Sequence, residues 1–257
     1  MKRQTSLDAL SDDFSSQADL SRWKHVYREE GTQANQLEQL GVRGGWLKMV
    51  PYASTWYKDY RGVLLYKPVS GDFVVTTRVS VSGRRGGAPN AQFSLAGIMV
   101  RTPRVGQSWR PGGENYVFLS LGAADRPGSF QLEVKTTINS DSQLQITPAE
   151  SGEAIIQVAR VGADMVMLQK QSRGWVVHRR YRRPDFPQEL QVGLTCYTDW
   201  PSASQVGVGQ HNTSVLRGGN PDLVAQFDFV RFHRPKVSSI ARLSDSELLR
   251  HFGDAAL

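Results

Sequence analysis

The chain has 257 residues, one cysteine, and 31 Lys and Arg against 24 Asp and Glu, a formal net charge of +7. The length is generous for one domain and short for two, and an all-β sandwich of this size is one domain that needs no covalent staple. Cys196 stands alone, which excludes an intramolecular disulfide framework and a thiolate zinc site, and no run approaches the roughly 18 apolar residues of a membrane-spanning helix.

Met1 to Phe14 is polar and holds no apolar stretch, so no signal peptide is visible; the compartment is left open, cytoplasmic by default and exported if the sequence is a trimmed one. Residues 1–11 read as an N-terminal extension. From there helix periodicity is nearly absent and strand alternation is frequent. Trp46–Pro51, Val63–Tyr66 and Asp72–Val81 come first, the last placing Phe73, Val75, Thr77, Val79 and Val81 on one face. Phe93–Arg101, Tyr116–Leu121, Phe130–Thr137, Leu144–Thr147, Ala154–Val161, Met165–Lys170, Trp175–Tyr181, Leu190–Thr198 and Leu223–Phe232 follow. The breaks between them carry turn chemistry: Gly83 to Gly87 with Pro89, Pro103 to Gly113 with Trp109, Asp125 to Gly128, and Arg173-Gly174. The longest irregular stretch, Thr198 to Asp222, has the length of a functional loop.

About a dozen short strands and little helix predict two packed antiparallel sheets, because a single sheet that wide would curl or split. The body runs from 12 to 235. Beyond it, Ser244-Asp-Ser-Glu247 forms a capping box followed by Leu248, Leu249 and Phe252 and closed by Gly253, which predicts a C-terminal helix of about two turns in the tail 236–257. Its apolar stripe either packs on the body or docks a partner protein.

Catalytic signatures are missing. There is no Gly-x-Ser-x-Gly elbow and no phosphate-binding Gly-x-x-x-x-Gly-Lys-Ser/Thr loop, and the five histidines lack metal-ligand spacing. Glycoside hydrolysis needs two carboxyl groups facing one bond. Glu133, the one catalytic candidate, is flanked on its own strand face by Gln131 and Lys135 instead of a second acid. Asp13 and Asp228 are candidate ligands for a structural calcium ion joining the chain ends, but calcium takes six or more oxygens and no such cluster is visible. The basic residues are 8 Lys and 23 Arg, of which only Arg179, Arg180, Arg182 and Arg183 are dense, so a nucleic-acid partner is not expected.

Aromatic residues carry more information. Trp56, Tyr57 and Tyr60 precede a strand, Trp109 sits in a Gly/Pro-rich loop, and Tyr197 and Trp200 open the longest loop. An indole face covers the apolar face of a sugar ring, and its N–H reaches a hydroxyl. Trp23, Trp46 and Trp175 lie in or beside strands and are expected in the core. Strand alternation puts Arg101 with Met99, Tyr116 with Phe118, Glu133 with Lys135, and His178 with Arg180, and these pairs would supply hydrogen bonds from a sheet face. Cys196 alternates with Val192 and Leu194 as a small core residue, and Asn212-Thr-Ser214 matches a glycosylation acceptor.

One further signal lies in the order of motifs. Asp12-Asp-Phe14 and Trp23 open the body, followed by Gly45-Trp-Leu47, Gly62-Val-Leu-Leu-Tyr66, Gly71-Asp-Phe73, Ala96-Gly-Ile-Met-Val-Arg101, Glu114-Asn-Tyr116 and Leu132-Glu-Val134. Gly174-Trp175, Val192-Gly-Leu194 and Phe227-Asp-Phe229 complete it. Over residues 12–234 this resembles the concanavalin A-like lectin/glucanase superfamily, nearest the DUF1349-like domains that are similar to the C-terminal domains of β-xylosidases. The resemblance implies a jelly-roll β-sandwich with a curved face that binds carbohydrate, and it places Arg101 and Glu133 on that face. The acidic Glu-x-Asp-x-x-Glu motif of related glucanases is missing. The expected protein is therefore a non-catalytic carbohydrate-binding sandwich. Sugar would lie on the concave sheet face or loop rim, against Trp56, Trp109, Tyr197 or Trp200 and bonded by Arg101, Tyr116, Glu133 and His178. The alternatives are a glycoside hydrolase or lyase using carboxylates from separate strands, and an interaction module without a sugar ligand.

Overall fold

The computed structural model describes residues 6–107 and 110–256. Fourteen strands follow one another: β1 Lys24–His25, β2 Leu37–Arg43, β3 Trp46–Pro51, β4 Val63–Ser70, β5 Phe73–Ser82, β6 Ser94–Arg101 and β7 Tyr116–Ala123 in the first half. The second half holds β8 Gln131–Ile138, β9 Asp141–Pro148, β10 Glu153–Val161, β11 Asp164–Gln171, β12 Gly174–Arg182, β13 Glu189–Tyr197 and β14 Val224–His233. The helices are single turns or little more: α1 Val26–Glu30, α2 Trp200–Ala203, α3 Val208–Thr213 and α4 Asp245–Leu248.

The strands form two seven-stranded sheets. The first has the order β1-β4-β13-β6-β7-β8-β9 and the second β12-β11-β10-β5-β14-β3-β2, with every pairing antiparallel. This is a jelly-roll β-sandwich. The period-two pattern decides which side chains meet between the sheets. Phe73, Val75, Val79 and Val81 of β5 face Ile98 and Val100 of β6, Val117 and Leu119 of β7, and Leu194 and Cys196 of β13 in one apolar core. Residues 7–11 pack on this body, with Leu7 joining the core and the Leu10 carbonyl accepting from Lys67 Nζ at 2.6 Å.

The C-terminal tail crosses the outer face of the second sheet. Ile240, Leu248 and Phe252 bury against Val74, Ala159, Val166 and Leu168. Gly253 N–H donates to Gln157 Oε1 at 2.8 Å, and Trp175 Nε1 donates to Asp254 Oδ1 at 2.9 Å. The Ser244 capping box is present, but the α-helix it starts ends at Leu248, shorter than the predicted two turns. Its apolar stripe is spent on the sheet.

Gly97, Gly122 and Gly193 allow the strands of the first sheet to approach. A Cβ on Gly97 would sit 2.1 Å from the Leu119 carbonyl, and one on Gly193 would sit 1.9 Å from that of Leu65. Both obstacles are backbone, so neither can swing aside. Gly193→Ala is expected to cost about 3 kcal/mol, the upper end for overpacking. Chemical denaturation of the variant measures it, and an unchanged midpoint would show that the strands separate freely there.

Candidate functional site

The outer face of the first sheet is the face expected to carry ligand. Its residues are those named by alternation, Arg101 and Met99 on β6, Tyr116 and Phe118 on β7, and Glu133 and Lys135 on β8, together with the aromatic Tyr197 on β13. All are buried. Among the described residues the covering segments are α1, the stretch 52–62 between β3 and β4, and residues 102–107 and 110–114 between β6 and β7.

Ion pairing fastens these covers. Arg101, with no exposed surface, donates from Nη1 to Glu30 Oε1 at 2.6 Å and from Nε to Glu114 Oε2 at 2.8 Å. Arg61 donates to Glu114 at 2.7 Å, and Arg104 donates its backbone N–H to Glu30 at 3.0 Å and its guanidinium to Glu114 at 2.9 Å. Gln191 of β13 donates to Glu30 at 3.0 Å. Burial alone would raise the Glu114 carboxyl, but the surrounding guanidinium groups, Arg101 first, hold it at about 2. Glu30 is lowered for the same reason. Arg101 is thus a structural clamp and not a ligand contact.

Trp56 is also displaced from its expected role. Its ring has no exposure, meets Tyr116 edge to face at 5.5 Å, and donates from Nε1 to the Val63 carbonyl at 3.0 Å. Tyr116 and Tyr197 are likewise fully buried. Glu133 accepts from the Tyr197 hydroxyl at 2.9 Å and pairs with Lys135 Nζ at 3.0 Å. Lys135 Nζ also donates to the Trp56 carbonyl at 2.7 Å and lies 4.9 Å from the centre of the Phe118 ring. Burial lowers the Lys135 ammonium and Glu133 opposes that shift. The Tyr197 hydroxyl is pushed well up by burial and by Glu133.

The sequence pairs His178 with Arg180 on one strand face, but the pair is split. The β11–β12 register shifts between Met167 and Leu168, leaving His178 as an extra residue. His178 Nε2 therefore sits 3.5 Å from Thr147 Oγ1 of β9, while Arg180 turns to the tail and donates to the Ile240 carbonyl at 3.0 Å. Trp109 lies outside the described residues. The candidate calcium ligands each face an arginine instead: Asp13 pairs with Arg231, and Asp228 with Arg78 at 3.0 Å. Among the described residues no group of three or more His, Cys, Asp or Glu side chains is placed to hold a metal. Asn212 is no glycosylation acceptor in this state, since its buried amide donates to the Asp59 carbonyl at 2.9 Å and accepts from Arg61 N–H at 2.9 Å.

Among the described residues an opening lies on the covered face. It is a cavity of about 230 Å³ lined by Thr55, Tyr57, Phe93, Lys135, Leu144 and Trp200. Tyr57 and Trp200 meet edge to face at 5.4 Å across its wall, and Lys135 forms the polar floor. Two strained residues shape the same wall. Phe93 holds φ +53° and Asp199, just before Trp200, holds φ +63°, in the left-handed region that bulky side chains avoid. Of the residues expected at a site, Trp200 lines this cavity. Thr55, Phe93 and Leu144 carry no sequence signal, because the fold alone brings them together.

Behind the wall, His211 is neutral and fully enclosed. Its Nε2 accepts from Thr55 N–H at 3.2 Å, and its Nδ1 donates to Asn212 Oδ1 at 2.9 Å. Burial lowers its pKa to about 4.

Comparison with known proteins follows from this geometry. No family model and no curated protein matches the sequence. Solved structures match the fold. A functionally unknown protein from Saccharomyces cerevisiae superposes with a TM-score of 0.58 at 14% identity, over 85% of this chain and 99% of that one. A mutant of the GH43 protein BlXynB from Bacillus licheniformis gives 0.58 at 12% identity over 91% of this chain and 41% of that one, so the chain spans about two fifths of that protein's length. A legume lectin-like domain from Entamoeba histolytica gives 0.55 at 7% identity, over 90% and 99%. The fold is the concanavalin A-like sandwich.

Two expectations follow from the buried charges. Arg101→Met leaves Glu30 and Glu114 short of their central partner and is expected to cost about 3–5 kcal/mol, read by chemical denaturation. A value near zero would mean that Arg61 and Arg104 suffice. The His211 pKa is depressed on folding, so the unfolded chain binds the extra proton first. Stability is then lost as pH falls from about 6.5 to about 4 and levels off below, by about 3 kcal/mol for a shift of this size. His25 and His178 are lowered by burial and act in the same direction. Denaturation midpoints of wild type and His211→Gln across that range test this, and equal slopes would refute it.

Proposed function

We propose that the protein is a non-catalytic carbohydrate-binding sandwich whose ligand enters the cavity between Tyr57 and Trp200. The observation that carries this reading is the cavity itself, with the rings of Tyr57, Phe93 and Trp200 and the polar side chains of Thr55 and Lys135 in its lining. A sugar ring has the matching chemistry, with C–H groups for the aromatic faces and oxygens for the ammonium.

Binding is preferred to hydrolysis for a physical reason. No carboxylate lines the cavity, and Glu133 beneath it is already engaged by Lys135 and Tyr197. A glycosidase of the two-carboxylate kind needs both acids at the bond. The coarser statement, a carbohydrate-related sandwich, agrees with the lectin-like and GH43 neighbours. The finer placement beside the DUF1349-like domains rests on the motif order given above.

Glycan-array screening followed by calorimetry tests the reading. Trp200→Ala is expected to weaken binding about tenfold, the equivalent of one aromatic contact, with an unchanged melting temperature. Folded protein that retains no glycan at millimolar concentration would refute it.

A further inference from the structure

The cavity is closed on its inner side. Inward of Lys135 the outer face of the first sheet offers no open floor, since Trp56, Tyr116, Phe118, Met99 and Tyr197 have no exposed surface. The cover is tied down across the sheet, by Lys135 to the Trp56 carbonyl at 2.7 Å and by Lys58 N–H to Ser142 Oγ of β9 at 2.8 Å. A polysaccharide passing through in mid-chain needs a groove open at both ends. At about 230 Å³, this space falls below the roughly 300–1,000 Å³ of pockets that enclose drug-sized ligands.

A second feature lies behind the Trp200 wall. Two neighbouring hollows of about 340 and 330 Å³ share Asn90, Ala91 and Asn220. The segments that wall the first cavity through Phe93 and Trp200 line the hollow of about 330 Å³ through Gln92, Asp199 and Pro201. The backbone there is held in place: Asn90 N–H donates to Asp222 at 2.7 Å and Asn220 N–H donates to Asp199 at 2.6 Å. The side-chain amides of Asn90, Asn220 and Gln205 bond to no other group among the described residues. An amide both donates and accepts, as a sugar hydroxyl requires.

We infer that the site recognises the end of a glycan chain, with the terminal ring in the cavity against Trp200 and the following units passing over Trp200 onto the Asn90–Asn220–Gln205 surface. This rests on the carbohydrate reading above and narrows it from sugars in general to chain termini.

The experiment uses three linear polysaccharides, xylan, mannan and kappa-carrageenan, each intact and cut to di- and tetrasaccharides. Binding stoichiometry per chain is measured by calorimetry and analytical ultracentrifugation. The expected result is one protein per chain whatever its length. Asn220→Ala and Gln205→Ala should each weaken tetrasaccharide binding about two- to tenfold, one hydrogen bond's worth, and leave the disaccharide unchanged, whereas Trp200→Ala weakens both. Several proteins bound per intact chain would overturn end recognition while leaving carbohydrate binding intact. Equal affinities of the amide variants for the tetrasaccharide would overturn the path across Trp200. No binding to any of the three overturns the inference, and the glycan array then decides whether the broader reading falls with it.

Discussion

Arg101 holds two carboxylates from two different segments in a place without solvent, and the closed shape of the first sheet depends on it. Glu30 arrives on α1 and Glu114 just before β7, while Arg61 comes from the stretch 52–62 and Arg104 from the same connection as Glu114. Taking five charged groups out of water is costly, and such a cluster persists only when nearly every donor and acceptor is matched. Bidentate contacts from Arg101 to both acids, with Gln191 beneath, meet that condition. The gain is geometric more than energetic. The loops over a sheet rich in Tyr and Phe are fastened to it, and a pocket beside Trp200 stays open.

The fold was legible because its core obeys a period of two. Phe73, Val75, Val79 and Val81 announce a buried face without help from other strands, and so do Leu190, Val192, Leu194 and Cys196. The strands that escaped notice had no such face to show. β2, Leu37–Arg43, lies at a sheet edge and is largely polar or exposed, with Gly41 inside it. β1 is two residues long and exists only because β4 pairs with it. The turn at Asn139 and Ser140 takes positive φ at both residues, a hairpin that Ser in second place does not advertise. In the tail, the capping box fixed the start of a helix, while its end depended on contacts with Gln157 and Trp175 far away in sequence.

The site was half legible, and the reason is that alternation gives a face but not what lies over it. Arg101, Tyr116, Glu133 and Tyr197 do share the outer face of the first sheet, as their spacing requires. Polar residues on such a face suggest exposure, yet here Arg101 answers a charge on a covering segment 71 positions away, Glu30 of α1. Trp56 and Trp200 look alike in sequence, each in a loop beside tyrosines. They part company because Gly62 leaves room for the Trp56 ring, whose Nε1 lies 2.9 Å from where a Cβ would sit, while Trp200 follows a left-handed Asp199 that turns it toward Tyr57. His178 was lost to a bulge, which shifts the faces of every residue beyond it and leaves no mark on the hydrophobic pattern.

The net charge takes on a different meaning once the arginines are located. Arg61, Arg101, Arg104, Arg160 and Arg183 are all buried. In the dense stretch at the end of β12, Arg179 reaches Gln145, Arg180 the tail, Arg182 Asp164, and Arg183 both Asp185 and the carbonyls of Tyr116 and Thr137. Four adjacent basic residues thus serve four separate internal joints instead of forming one charged stripe. Arginine suits this work because its fork bonds several oxygens at once and keeps its charge when buried. These five buried arginines and the joints of the dense stretch use positive charge to fasten loops and tail to the sheets.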